Sequence, residues 1–91
     1  MNTSVLECFK ALSDDKRLAV LMAVLANPGT DLVELTAKLG VSTVWHHLRA
    51  LVNAGLLIKD KQDSKEAYYY VNKEKLLKLA QYLTSLAERI K

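Results

Sequence analysis

The stretch LVELTAKLGVSTVWHHLRALVNAG, Leu32 to Gly55, decides the architecture. Its apolar residues fall at Leu32, Leu35 and Leu39, then, past Gly40, at Val44, Leu48, Leu51 and Val52, with Gly55 following. Steps of three and four residues trace one face of an α-helix. A glycine just past the last periodic residue stops a helix, because it enters the left-handed region at no steric cost. Two short helices joined by a glycine-bearing turn predict a helix-turn-helix. Thr30 or Asp31 is a candidate cap for the first of them, and Ser42 for the second.

Working outward, Leu18, Leu21, Met22 and Leu25 predict the apolar stripe of a preceding helix. Ser13 stands as its N-cap, and Asp14 and Asp15 lie where the helix dipole favours negative charge. Asn27-Pro28-Gly29 ends it. Val5, Leu6, Phe9 and Leu12 predict a short helix before that. Downstream the period changes. Leu56 to Lys61 and Ala67 to Val71 are leucine-, aromatic- and β-branched-rich runs around a polar tip, Gln62 to Glu66, and predict a β-hairpin. Tyr69 should face opposite to Tyr68 and Tyr70, so at least one tyrosine enters the core. Asn72 caps a last helix whose Leu76, Leu79, Leu83, Leu86 and Ile90 form a heptad seam. About two heptads are too few for a free coiled coil, so this seam predicts packing on a partner surface.

The whole is mainly α with one β-hairpin, in the order helix, helix, helix, helix, hairpin, helix, over a single domain of residues 1–91. A chain of this length buries only about 60–65% of the surface it exposes when unfolded, which leaves a monomer marginal. Its hydrophobic content of 51% exceeds what so small a core needs and favours a subunit interface. The net charge of +3 suits a polyanionic partner without requiring one. One cysteine, Cys8, excludes an internal disulfide framework and fits the reducing cytoplasm. The apolar run Leu18 to Ala26 is too short to cross a bilayer and, behind Glu7, Asp14 and Asp15, makes a poor targeting signal. No nucleophile–base pair, phosphate-cradling glycine loop or metal cluster suggests an enzyme or a cofactor.

With these residues in order, the chain resembles the ArsR family of winged-helix repressors over nearly its whole length. Phe9-Lys10-Ala11-Leu12-Ser13-Asp14-Asp15-Lys16-Arg17-Leu18 is similar to the family's entry into its second helix. Ser42-Thr43-Val44-Trp45-His46-His47-Leu48-Arg49-Ala50-Leu51 is similar to its recognition helix, and Ala54-Gly55-Leu56-Leu57 with Tyr69-Tyr70-Val71 to the run into and out of its wing. The resemblance implies a homodimer built on the first and last helices, with Val5, Phe9, Leu76, Leu79, Leu83, Leu86 and Ile90 at the interface. It also implies occupation of operator DNA, of palindromic sequence for a two-fold protein. Two departures stand out. The turn Gly40-Val41-Ser42 is two residues shorter than the family's, so the recognition helix starts later or crosses at another angle. The family's metal ligands are missing: Thr30 to Leu35 holds no cysteine, and Lys73 to Lys91 holds no histidine, cysteine or aspartate. Metal sensing through those sites is therefore not expected.

With Val44, Leu48, Leu51 and Val52 inward, the fourth helix turns Thr43, Trp45, His46, Arg49 and Asn53 outward, with Ser42 at its start. Their hydroxyl, imidazole, guanidinium and amide groups suit the base edges of the major groove. The exposed ring of Trp45 needs a reason, either contact with a thymine methyl or sugar, or folding back onto the shortened turn. His46 and His47 point about 100° apart and cannot chelate one ion from a regular helix. His46 is expected to contact a phosphate or a base, and His47 to pack half-buried. Arg49 either pairs with guanine or grips phosphate, and a loss felt most on the preferred site is expected of Arg49→Ala. Lys59, Lys61 and Lys65 of the hairpin suit phosphates or the minor groove, diluted by Asp60, Asp63 and Glu66. Two rival functions remain: an interaction module without DNA binding, favoured by a near-balanced charge over residues 31–65, and a thiol sensor acting through Cys8.

Overall fold

The structure, a computed structural model, describes residues 3–40, 42–61 and 66–90. The elements run α1 (Thr3–Leu12), α2 (Asp15–Ala26), α3 (Leu32–Leu39), α4 (Val44–Asn53), β1 (Leu57–Asp60), β2 (Tyr68–Val71) and α5 (Lys73–Ala87). This is the expected order of helices and hairpin.

The helix starts follow the capping chemistry with two corrections. Ser13 is not the cap of α2. Asp14 is, its carboxylate accepting from the N–H groups of Lys16 and Arg17, while the Ser13 hydroxyl donates back to the Lys10 carbonyl. An acceptor-only carboxylate serves two orphan N–H groups better than a hydroxyl that has a carbonyl to donate to. Ser42 does not cap α4 either. Thr43 stands at that position and makes no side-chain capping bond, because its hydroxyl is taken by His47 Nε2 at 3.2 Å. The other starts are as expected: Asp31 Oδ1 accepts from Glu34 N at 2.9 Å and Asn72 Oδ1 from Lys75 N at 3.2 Å.

The apolar stripes of α1 and α2 are rotated from expectation. On α1 the buried residues are Cys8 and Ala11, Val5, Phe9 and Leu12 are half-buried, and Leu6 faces out. On α2 the buried residues are Val20, Leu21, Ala23 and Val24, while Leu18, Met22 and Leu25 are exposed. On α1 close approach explains the choice. Cys8 Sγ lies 3.3 Å from the Ala54 carbonyl at the end of α4, a gap that admits a short side chain but no leucine. Around these residues the core closes with Leu35 of α3, Val44, Leu48 and Leu51 of α4, Leu56 and Leu57, Tyr69 of β2 and Leu79 of α5.

The hairpin is antiparallel, with Leu57 opposite Val71, Ile58 opposite Tyr70, Lys59 opposite Tyr69 and Asp60 opposite Tyr68. Tyr69 is buried and its two neighbours are exposed, as strand alternation requires. On its other edge Tyr69 exchanges backbone bonds of 2.9 Å with Gly29 and Thr30, which ties the hairpin to the corner between α2 and α3. Asn72 ties α5 in turn: its Nδ2 donates to the Gly55 carbonyl at 2.9 Å and its backbone N–H to the Leu56 carbonyl at 2.9 Å. Alongside α1, Lys75 Nζ donates to Ser4 Oγ at 2.9 Å and Tyr82 meets Phe9 at 6.3 Å between ring centroids. From Leu83 to Ile90 every residue of the last helix and its end is exposed. The molecule is elongated, 50 × 27 × 22 Å.

Candidate nucleic-acid interface

Gly40 closes α3 with φ +65° and open space where a Cβ would stand, so conformation rather than crowding selects glycine there. Only residues 40–43 separate the two helices, and α4 begins at Val44, later in its register than Ser42 suggested. Ser42, Thr43, Trp45, His46, Arg49 and Asn53 are all exposed, whereas Val44, His47, Leu48 and Leu51 are buried. The division expected of the two histidines is the one observed: His46 outside, His47 8% exposed. Of the buried ring, Nε2 meets Thr43 and Nδ1 has no hydrogen-bond partner among the described residues.

The start of α2 lies within electrostatic reach of His47. The Asp14 carboxyl is held below its ordinary value of 3.8, chiefly by the hydrogen bond from Arg17 N–H, then by that from Lys16 and by the charges of His47 and Arg17, with desolvation opposing. The same Arg17 turns its Nη1 toward the Lys10 and Ala11 carbonyls, 3.5 Å from each, at the end of α1.

Trp45 neither enters the core nor folds away. It is 47% exposed, with Arg49 Cζ 5.4 Å from its ring centroid and His46 edge-on at 4.9 Å. Beside it a cleft of about 310 Å³ opens between α4 and the hairpin, lined by Trp45, Arg49, Val52, Asn53, Lys59 and Tyr69. A neighbouring cleft of about 260 Å³ shares Trp45, Lys59 and Tyr69 and runs on to Asp31, Lys61 and Glu66. The structure thus joins Trp45 and Arg49 of the helix to Lys59 of the hairpin and sets Lys61 at the hairpin's edge, with Ser42, Thr43 and His46 at the leading end of α4. Lys65, with the rest of the tip at residues 62–65, lies outside the described residues. The cleft-lining roles of Val52 and Tyr69 were not in the sequence reading. A tryptophan four residues before an arginine is visible in a sequence, but a strand register that brings Lys59 and Tyr69 beside them is not.

The residues expected at a subunit interface divide. Val5, Phe9 and Leu76 are half-buried and Leu79 is buried in the monomer core, while Leu83, Leu86 and Ile90 are 51%, 39% and 79% exposed. Cys8 is fully buried, and burial pushes its thiol above the ordinary 9.0 in spite of nearby Lys75. Among the described residues no three His, Cys, Asp or Glu side chains are grouped to hold a metal ion, and no helix is long and apolar enough to cross a membrane.

Comparison with known structures finds close likeness. An ArsR-like transcriptional regulator from Rhodococcus sp. RHA1 is 27% identical, with a TM-score of 0.86 over 96% of this chain and 82% of that one. A predicted DNA-binding transcriptional regulator from E. coli is 29% identical, with a TM-score of 0.65 over 84% and 82%. A homodimeric winged helix-turn-helix DNA-binding domain from Mycobacterium bovis, a possible ArsR-family regulator, is 20% identical and shares the fold, with a TM-score of 0.73 over 98% and 83%. Comparison with curated proteins finds no significant match. The sequence profile of the family described as bacterial regulatory protein, arsR family, matches residues 14–59, just over half of the chain. That segment spans the helix-turn-helix and reaches into the first hairpin strand, so the chain belongs to the ArsR family of winged helix-turn-helix transcriptional regulators, which are not enzymes.

Proposed function

We propose that this protein is a homodimeric repressor of the cytoplasm that binds duplex DNA and blocks transcription by occupying its site. The observation that carries this is the outward face of α4, where hydroxyl, imidazole and guanidinium groups stand together and the lysines of the hairpin flank them. In this arrangement α4 enters a major groove, its leading residues Ser42, Thr43 and His46 reach the base edges, and Lys59, Lys61 and Lys65 of the wing lie along the backbone. A two-fold dimer presents two such helices, which suits a palindromic operator with half-sites about one helical turn apart. The exposed leucines at the end of α5, with Val5 and Phe9 of α1, supply the subunit contact. With no thiolate pair or histidine cluster at the family's usual ligand sites, zinc or cadmium does not act as the effector.

Selection of binding sites from random duplexes tests this reading. The expected result is enrichment of a palindromic sequence whose binding constant falls linearly, on logarithmic axes, with salt. Failure to enrich any sequence, with no duplex binding at about 50 mM salt, would overturn it and leave an interaction module as the function of the fold.

A further inference from the structure

Trp45 is 47% exposed on the outward face of α4. Here Arg49, one turn further on, lays its guanidinium over the ring with Cζ 5.4 Å from the centroid. A guanidinium over a ring face can keep its N–H donors free, so it can still grip an oxyanion by two parallel bonds. Stacking also restricts the otherwise flexible side chain, and it does so toward the cleft between α4 and the hairpin, whose wall includes Trp45, Arg49 and Asn53. Lys59 lines the same cleft, on the sheet face it shares with buried Tyr69. Among the described residues no acidic side chain lines this cleft, whereas Asp31 and Glu66 line its neighbour. In the second cleft those carboxylates offset Lys59 and Lys61, so the first holds the larger net positive charge toward a polyanionic backbone.

We infer that Trp45 is a positioning residue: it holds the Arg49 guanidinium in the cleft with Lys59, and the two cations there clamp one backbone phosphate of duplex DNA. The inference rests on the DNA-binding function proposed above and changes one assignment. Arg49 grips phosphate and does not read guanine, so sequence readout falls to Ser42, Thr43 and His46 at the leading end of α4.

Two experiments test it, and the first needs no DNA. Trp45 is the only tryptophan, so its emission reports on the stack directly. Arg49→Ala should make it more accessible to acrylamide quenching, with Arg49→Lys in between. Unchanged quenching would overturn the positioning role while leaving DNA binding intact. The second is equilibrium binding to the selected duplex and to a scrambled one across a salt series. Arg49→Ala and Lys59→Ala should each weaken both duplexes by the same factor and lower the salt slope by about one unit. Trp45→Leu should weaken both by about two- to fivefold, the strength of an exposed cation–π contact, and Trp45→Phe should recover most of that loss. In an Arg49→Ala background, Trp45→Leu should cost nothing further. Both side chains are exposed, so the core is spared in every variant. A loss confined to the selected duplex for Arg49→Ala, or an undiminished loss for Trp45→Leu in that background, would overturn the inference. Absence of wild-type binding to any duplex would overturn the proposed function and the clamp with it, whatever the quenching shows.

Discussion

Two side chains show how much a residue's immediate surroundings decide. Cys8 is fully buried, its Sγ lies against the Ala54 carbonyl, and burial raises its thiol against the pull of Lys75. The nucleophile in thiol chemistry is the thiolate, which both effects disfavour. Native protein should therefore react with a chromogenic disulfide far more slowly than the same chain in denaturant, and peroxide should leave DNA binding unchanged. Fast native reaction would restore the thiol-sensor function. Asp14 behaves in the opposite sense. Hydrogen bonds from Arg17 and Lys16 hold its carboxyl below the ordinary 3.8. A group whose folded value is depressed contributes stability above its unfolded value and loses it as pH falls through the folded one. Asp14→Ala should thus lower the melting temperature at pH 7, and the gap from wild type should shrink as pH falls below 3.8. Thermal unfolding of both proteins along that series checks it, and a gap independent of pH would mean that the charge is not involved.

At the scale of elements, α2 divides its apolar residues between two faces. Val20, Leu21, Ala23 and Val24 pack inward, while Leu18, Met22 and Leu25 stay in water. Val24→Ala should cost about 2 kcal/mol from lost burial and the cavity left behind. Met22→Gln and Leu25→Gln should each change stability by no more than about 0.5 kcal/mol. Denaturant titration distinguishes them, and equal losses would place the exposed leucine and methionine in a core. This helix also marks where the sequence stops being legible. From Leu18 to Ala26 every residue is apolar, so periodicity has no polar face to orient it, and the choice falls to how the neighbouring helices pack. In α4 polar and apolar residues alternate at helical spacing, and both its inward face and the separation of His46 from His47 could be read in advance. The caps were half legible for a related reason. Asn72 has one suitable acceptor at one suitable offset, but Asp31 shared the choice with Thr30, Ser13 competes with Asp14 next to it, and the Thr43 hydroxyl is claimed by a histidine one turn away. The meeting of Lys59 with Trp45 depends on how the hairpin folds back against α4, which no local pattern encodes.

For the molecule as a whole, shape and surface point to assembly. The radius of gyration is 14.3 Å, against about 12 Å for a compact chain of this length, and α5 accounts for part of the excess. Leu76 and Leu79 use the first turns of its seam inside the monomer, whereas Leu83, Leu86 and Ile90 continue the same seam in water. One stripe that begins in a core and ends exposed is what a helix shared between two subunits looks like before its partner is added. The two halves make different predictions. Leu79→Glu buries a charge within the subunit and should unfold the chain, since an unpaired carboxylate in apolar surroundings is strongly destabilising. Leu83→Glu places its charge at the proposed subunit contact and should give a monomer that keeps the helical circular dichroism of the wild type. Wild-type stability should rise with protein concentration, because the folded state is coupled to association, while that of Leu83→Glu should not. Sedimentation or light scattering at micromolar concentration reads the mass, and thermal unfolding over a hundredfold dilution reads the coupling. A wild type that is a monomer, with a melting temperature independent of dilution, would overturn the shared helix and leave the end of α5 in water.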